Sequence, residues 1–166
     1  MEEGNQKFKS IDGALYNYNL DTLISYPIGN KSLSYTTLNS VKTISKQSFM
    51  GSKNLIALIV TSNVNSIEDE AFGYMETLEH VVLLGTTTPT NVGDVFTETN
   101  TLKSVIAKTS FNGNYFGSES IIKLNESQCG PSVYYLYESS SKFVYMYGSG
   151  EMYNYTSFSS SNPTPF

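Results

Sequence analysis

The chain has 166 residues, a formal charge of −5 and a sequence pI near 4.8. Charged residues make up 15%, against about 25% in an average soluble domain. Ser, Thr and Asn fill the gap, with 24, 16 and 15 residues. The acidic balance argues against a nucleic-acid partner, which needs a basic stripe. One Cys and one His exclude a disulfide framework or a Cys/His zinc centre within the chain. No segment approaches the roughly 20 apolar residues of a membrane span. The start, Met1 to Lys7, has no apolar stretch, so no signal peptide is expected. Hydrophobic residues at 39% still allow one packed core, and the length suits one domain.

In chain order, the first apolar runs are Phe8 to Tyr16 and Thr22 to Gly29, joined by Asn17-Tyr-Asn-Leu-Asp21. Two such runs around an Asn/Asp turn predict a β-hairpin, ended by Pro27 and Gly29. A repeat follows. Adding 23 to Val41, Ile44, Phe49, Leu55, Leu58 and Val60 gives Val64, Ile67, Phe72, Leu78, Val81 and Leu83. A further step of 24 from the last four gives Phe96, Leu102, Val105 and Ala107. The first half of that third unit, Thr86 to Val92, is looser and carries Pro89. A period of about 20–29 residues with this spacing of leucines marks a solenoid, whose units bury their apolar faces only by stacking.

Within a unit, Leu55 to Val60 predicts a strand of a parallel ladder and Val41 to Ile44 a second short extended piece. Between them, Ser45 to Asn54 is polar around Phe49, which predicts a single helical or 3₁₀ turn that lowers the aromatic ring into the core. The same holds for Glu68-Asp-Glu-Ala71 before Phe72. Beyond the repeats, Ser110 to Gly117 breaks the period and Ile121 to Leu124 reads as one last strand. Val133 to Tyr137 and Phe143 to Tyr147, separated by Glu138 to Ser141, predict a second hairpin, aromatic on both faces. Ser159 to Phe166 is expected to be poorly ordered unless something docks on it. The expected class is therefore α/β but β-rich: a leucine-rich-repeat solenoid with a short parallel ladder, single helical turns and a hairpin at each end. It divides into 1–34, the N-terminal hairpin unit; 35–109, the repeats, at about 35–60, 61–83 and 84–109; 110–128, an irregular closing segment; and 129–166, a C-terminal hairpin.

The units Val64-Asn-Ser-Ile-Glu-Asp-Glu-Ala-Phe72 and Leu78-Glu-His-Val-Val-Leu83 resemble the Treponema-type leucine-rich repeats of BspA-like surface proteins. The front segment from Phe8 to Pro27 is similar to the hairpin variant that interrupts such arrays. Gly148-Ser-Gly-Glu-Met-Tyr-Asn-Tyr and Thr164-Pro-Phe are similar to the hairpin that precedes a new array. The resemblance implies a β-rich rod or horseshoe, cell-surface or extracellular placement, adhesion to host or matrix proteins, and no enzymatic activity or cofactor. The chain departs from the family pattern in ending where a new array should begin, which suggests a fragment of a longer array or a gene cut short.

Few residues suit chemistry. His80 lies in the second repeat strand, on its outward side with Val82, with no nucleophile or carboxylate at a related offset. A solvated or edge-binding role is expected rather than catalysis. Cys129 opens the linker into the tail and lacks a neighbouring His, so a structural thiol is expected, or one that pairs with a Cys outside this chain. Glu68-Asp69-Glu70 lacks the spaced ligands and Gly turn of a calcium loop. Gly148-Ser-Gly150 lacks the Lys and helix of a phosphate loop and reads as a turn. Asn30, Asn125 and Asn154 begin N-x-S/T sequons, which matter only in a secreted chain.

The outward face of the ladder is the main functional expectation. Strand alternation points Leu58 and Val60 inward, so Ala57, Ile59 and Thr61 point outward. Stacking then makes three columns: Ala57, His80 and Ser104; Ile59, Val82 and Ile106; Thr61, Leu84 and Lys108. The middle column is apolar, and an exposed apolar stripe is often a contact surface. The competing explanations are the preference of strands for β-branched residues and cover by a neighbouring segment. Three strands give a patch of roughly 250 Å², short of the roughly 800 Å² per partner of a standard interface. The expected function is a non-enzymatic protein-binding module. A structural spacer and an intracellular repeat scaffold are the alternatives.

Overall fold

The computed structural model describes residues 5–90, 93–130, 133–140 and 142–148. The chain opens with a three-strand meander of β1 (Phe8–Ile11), β2 (Ala14–Asn17) and β3 (Thr22–Ser25). The hairpin expected at Asn17 to Asp21 is the β2–β3 pair, with Tyr16 opposite Leu23. The long first run is itself folded in two, with Ile11 opposite Ala14. Asp12 at φ 50 and Gly13 at φ 82 form that tighter turn. Two successive positive-φ residues are what a two-residue hairpin loop requires, and Asp-Gly is its strongest sequence signal.

From there the chain winds as a solenoid of about four turns, and no described residue is helical. Each turn contributes to two ladders. The longer strands are β4 (Ser34–Thr36), β6 (Ala57–Val60), β8 (His80–Leu83), β9 (Ser104–Lys108) and β11 (Glu119–Leu124). They stack in parallel in that order. A short antiparallel strand, β10 (Tyr115–Phe116), pairs with β11 and closes that end. The second ladder continues the meander: β3 pairs in parallel with β5 (Thr43–Ile44), and β5 with β7 (Ser66–Ile67). A bridge from Ser66 to Thr90 extends it into the third unit despite the nearby Pro89.

The expected helical or 3₁₀ turns do not form, and the α/β class gives way to a β-solenoid. Around Phe49, the N–H groups of Gln47, Phe49 and Gly51 donate to the carbonyls of Asp69, Ala71 and Gly73 in the next coil. Glu70, Phe72 and Tyr74 repeat the pattern toward Asp94, Val95 and Thr97. A helical turn would direct these donors along its own axis. Left-handed residues also interrupt each segment, at Gln47 (φ 57), Glu70 (φ 56), Tyr74 (φ 55) and Glu98 (φ 54). The segments are chains of tight turns stitched sideways to their neighbours.

Between the ladders and these turns lies one continuous core. Tyr26, Phe49, Phe72, Phe96 and Phe116 form a file along the solenoid axis, with successive ring centroids 5.1, 5.6, 5.8 and 5.4 Å apart. Leu55, Leu58 and Val60 pack beside them with Leu78, Val81 and Leu83. Gly117 ends the file in a left-handed turn (φ 61), where a Cβ would come within 2.7 Å of Val95 Cγ2. The Asn- and Thr-rich composition has a structural use here. Asn54 Nδ2 donates to the Asn30 carbonyl and Asn63 Nδ2 to the Asn39 carbonyl, each one coil back. Thr77 and Thr101 hydroxyls likewise donate to Leu55 and Leu78 carbonyls. These side chains satisfy carbonyls that a curved coil leaves unpaired.

A third sheet completes the structure. β12 (Ser127–Gly130), β13 (Val133–Glu138) and β14 (Phe143–Gly148) are antiparallel, with Leu136 opposite Tyr145. The tail hairpin thus acquires a third strand, and Cys129 falls within it rather than in a linker. The expectations for Asn154, for Ser159 to Phe166 and for the turn after Gly148 lie outside the described residues.

Candidate functional site: the outward face of the ladder

The parallel register brings six of the nine outward residues into the expected columns. Ala57 pairs with His80 and His80 with Ser104; Ile59 pairs with Val82 and Val82 with Ile106. The columns are real but the middle one is not exposed. Ile59 is 3% accessible, and Val82 and Ile106 are 0%. With Ala57 they form a second apolar cluster, separate from the solenoid core, whose remaining buried member is Leu136 of β13. Leu84, Leu124 and Tyr145 pack at its margin. The tail hairpin therefore lies over the ladder. The expectation of an open stripe is corrected in favour of its competitor, cover by a neighbouring segment.

The flanking columns are also engaged. His80, expected to be solvated, is buried at 4%, and its Nδ1 lies 2.8 Å from Ser104 Oγ. Its Nε2 is 3.8 Å from Glu79 Oε2, and Lys103 Nζ holds the same Glu79 oxygen at 2.8 Å. Thr61 shares a 2.8 Å hydroxyl hydrogen bond with Thr37. Lys108 pairs with Glu126 at 2.7 Å. Glu138, two residues past Leu136 on the same side of β13, is 5% accessible and acts on His80 through its charge. Its Oε1 accepts hydrogen bonds from the Ser140 N–H and hydroxyl.

Burial sets the titration of His80. Desolvation lowers its pKa below the ordinary 6.5, against the opposing pull of Glu79 and Glu138, while Lys103 lowers it further. The folded chain thus prefers the neutral ring. As pH falls below about 6.5 the unfolded chain takes up the proton first, so stability contributed above that pH is lost on acidification. Wild-type protein is expected to lose more melting temperature between pH 7 and pH 5 than His80→Gln. Equal losses in paired thermal melts would show that His80 does not carry this dependence.

The other candidates are structural in their contacts. Glu68 Oε2 accepts the Lys46 N–H at 2.7 Å, and Glu70 Oε2 accepts from Gln47 Nε2 at 2.7 Å. The acidic run thus ties one coil to the one before. Among the described residues no three His, Cys, Asp or Glu side chains are grouped to hold a metal, and no helix is long and apolar enough to cross a membrane. Sequence reasoning missed Leu136, Glu138 and Tyr145 as partners of the face. A signal was present: Leu55 to Val60 is apolar without alternation, which is how a parallel strand buried on both faces reads.

Parallel coils of 23 and 24 residues, a leucine-lined ladder and a file of aromatic rings define a repeat solenoid of the leucine-rich class. The model of the BspA-type leucine-rich repeat region, a region of six copies, matches residues 5–103 and 28–140. The chain belongs to that family. No curated protein sequence matches it. Among solved structures, it is similar to a leucine-rich repeat protein from Eubacterium ventriosum ATCC 27560 at 20% identity, covering 65% of this chain and 35% of that one, with a TM-score of 0.46. It is similar to a leucine-rich cell surface protein from Faecalibacterium prausnitzii A2-165 at 19% identity, with coverages of 63% and 34% and a TM-score of 0.49. The pneumococcal vaccine antigen PcpA follows at 18%, with coverages of 68% and 40% and a TM-score of 0.41. The chain spans between 34% and 40% of the length of these three proteins.

Proposed function

We propose that this chain is a non-enzymatic protein-binding segment of a bacterial surface protein, and that the outward ladder face is its contact surface. The observation that supports the reading is the packing of Leu136, from a β-element of this same chain, against Ile59, Val82 and Ile106. Membership in the BspA-type repeat family supports a binding role and the absence of catalysis. Surface placement and a host or matrix partner rest on the resemblance of the repeats to BspA-like surface proteins. The division at 34, 109 and 128 belongs to the same reading. So do the contact residues Ala57, Ile59, Thr61, His80, Val82, Leu84, Ser104, Ile106 and Lys108.

The test is Ile59→Lys combined with Val82→Glu, assayed on immobilised matrix proteins and host cells after the fold is checked by circular dichroism. Loss of binding by at least about tenfold, some 1.4 kcal/mol, is expected. Unchanged binding by the folded variant removes the ladder face from consideration and favours a spacer role.

A further inference from the structure

The sheet that covers the ladder is held in an unusual way for a part of the same fold. Among the described residues, β12, β13 and β14 form a sheet of their own and share no strand pairing with the six-stranded sheet beneath. Two residues, Asn125 and Glu126, connect β11 to β12. The cover therefore rests on side chains. Its underside presents Leu136 to the apolar column and, two residues on, the buried carboxylate of Glu138 to the His80 column. The aliphatic side chain meets the apolar column, and the buried carboxylate lies two residues on along the same side of β13. Face-to-face packing of this kind can be exchanged without breaking a backbone ladder, whereas a shared strand cannot.

We propose that the 127–148 sheet is an internal ligand. The ladder face is a receptor for a protein β-hairpin that carries an aliphatic side chain two residues before a carboxylate, and an external partner of that chemistry binds by displacing the chain's own copy. This rests on the reading of the ladder as a contact surface, and adds to it the pattern recognised and the occupied resting state. Held in cis, the internal copy acts at an effective concentration in the millimolar range, so a free hairpin competes poorly. Weakening the internal copy should open the site.

The probe is a fluorescent peptide of residues 127–148, titrated by anisotropy against full-length wild type, Leu136→Asp and the milder Leu136→Ala. Leu136→Asp is expected to capture the peptide at least about 100-fold more tightly than wild type, and a peptide carrying Glu138→Gln is expected to bind more weakly. Adding Val82→Glu to the Leu136→Asp chain should abolish capture. Should Leu136→Asp fail to fold, Leu136→Ala decides the same comparison. Capture by neither variant, or equal capture by wild type, overturns the internal-ligand proposal. If host-protein binding then still falls with the Ile59→Lys and Val82→Glu pair, the contact-surface reading stands without it.

Discussion

Phe72→Ala should destabilise the chain by about 3–5 kcal/mol, the range for removing a fully buried aromatic ring from a site that collapses poorly. Phe72 has no accessible surface and sits between rings on both sides, with centroids at 5.6 Å to Phe49, 5.8 Å to Phe96 and 6.3 Å to Phe116. Its neighbours have little freedom to close the gap. The Phe49 N–H is bonded to the Ala71 carbonyl and the Phe72 N–H to the Val95 carbonyl, so the turns that carry the rings are fixed at coil spacing. Total stabilities run to about 5–15 kcal/mol, so the loss is a large share of the whole. Urea unfolding should show a lower midpoint with an unchanged slope. A loss below about 1.5 kcal/mol would mean that the file contributes far less than its burial implies.

Val82→Glu should have a different outcome: an intact solenoid with its cover released. The position is fully buried between β8 and the hairpin. An unpaired carboxylate kept there would cost several kcal/mol. Returning Leu136 to water costs about 1.5–3 kcal/mol. Lifting the hairpin also uncovers Ile59 and Ile106, but it returns the carboxylate to water, and release of the hairpin is the expected outcome. Glu138 supplies the readout, because it is 5% accessible in the docked state. Glutamyl endopeptidase should cut after Glu138 at least about tenfold faster in the variant, as local opening exposes it. Circular dichroism of the uncut protein should be nearly unchanged. Cleavage at the wild-type rate would show that the hairpin stays docked, and global unfolding would show that the face belongs to the solenoid core.

The two predictions mirror what was readable in the amino-acid sequence. The period itself was, because Phe49, Phe72 and Phe96 and the leucines beside them repeat in register and each pair can be buried only by stacking. The ladder columns followed, since alternation and a 23- or 24-residue step leave no other pairing for Ile59 and Val82. The form of the polar turns did not. A run such as Ser45 to Asn54 suits a helical turn by composition, and only the acceptors of the next coil, absent from any local window, draw Gln47 and Phe49 out of it. The state of the outward face was also hidden. It depends on how a hairpin more than 25 residues downstream of Ile106 folds back, a long-range contact that spacing does not encode. The continuous apolar strand hinted that something lay on top, without naming Leu136.

The inter-coil stitching has a consequence for how such a chain changes over generations. Each coil hands turn amide donors and its aromatic ring to the coil after it, and its Thr and Asn side chains to the coil before it, at fixed offsets. A deletion of a few residues inside a coil shifts every later partner out of alignment, whereas removal or duplication of a whole coil preserves all of them. The coding sequence is therefore free to grow and shrink by recombination in steps of 23 or 24 codons, and is intolerant of most steps in between.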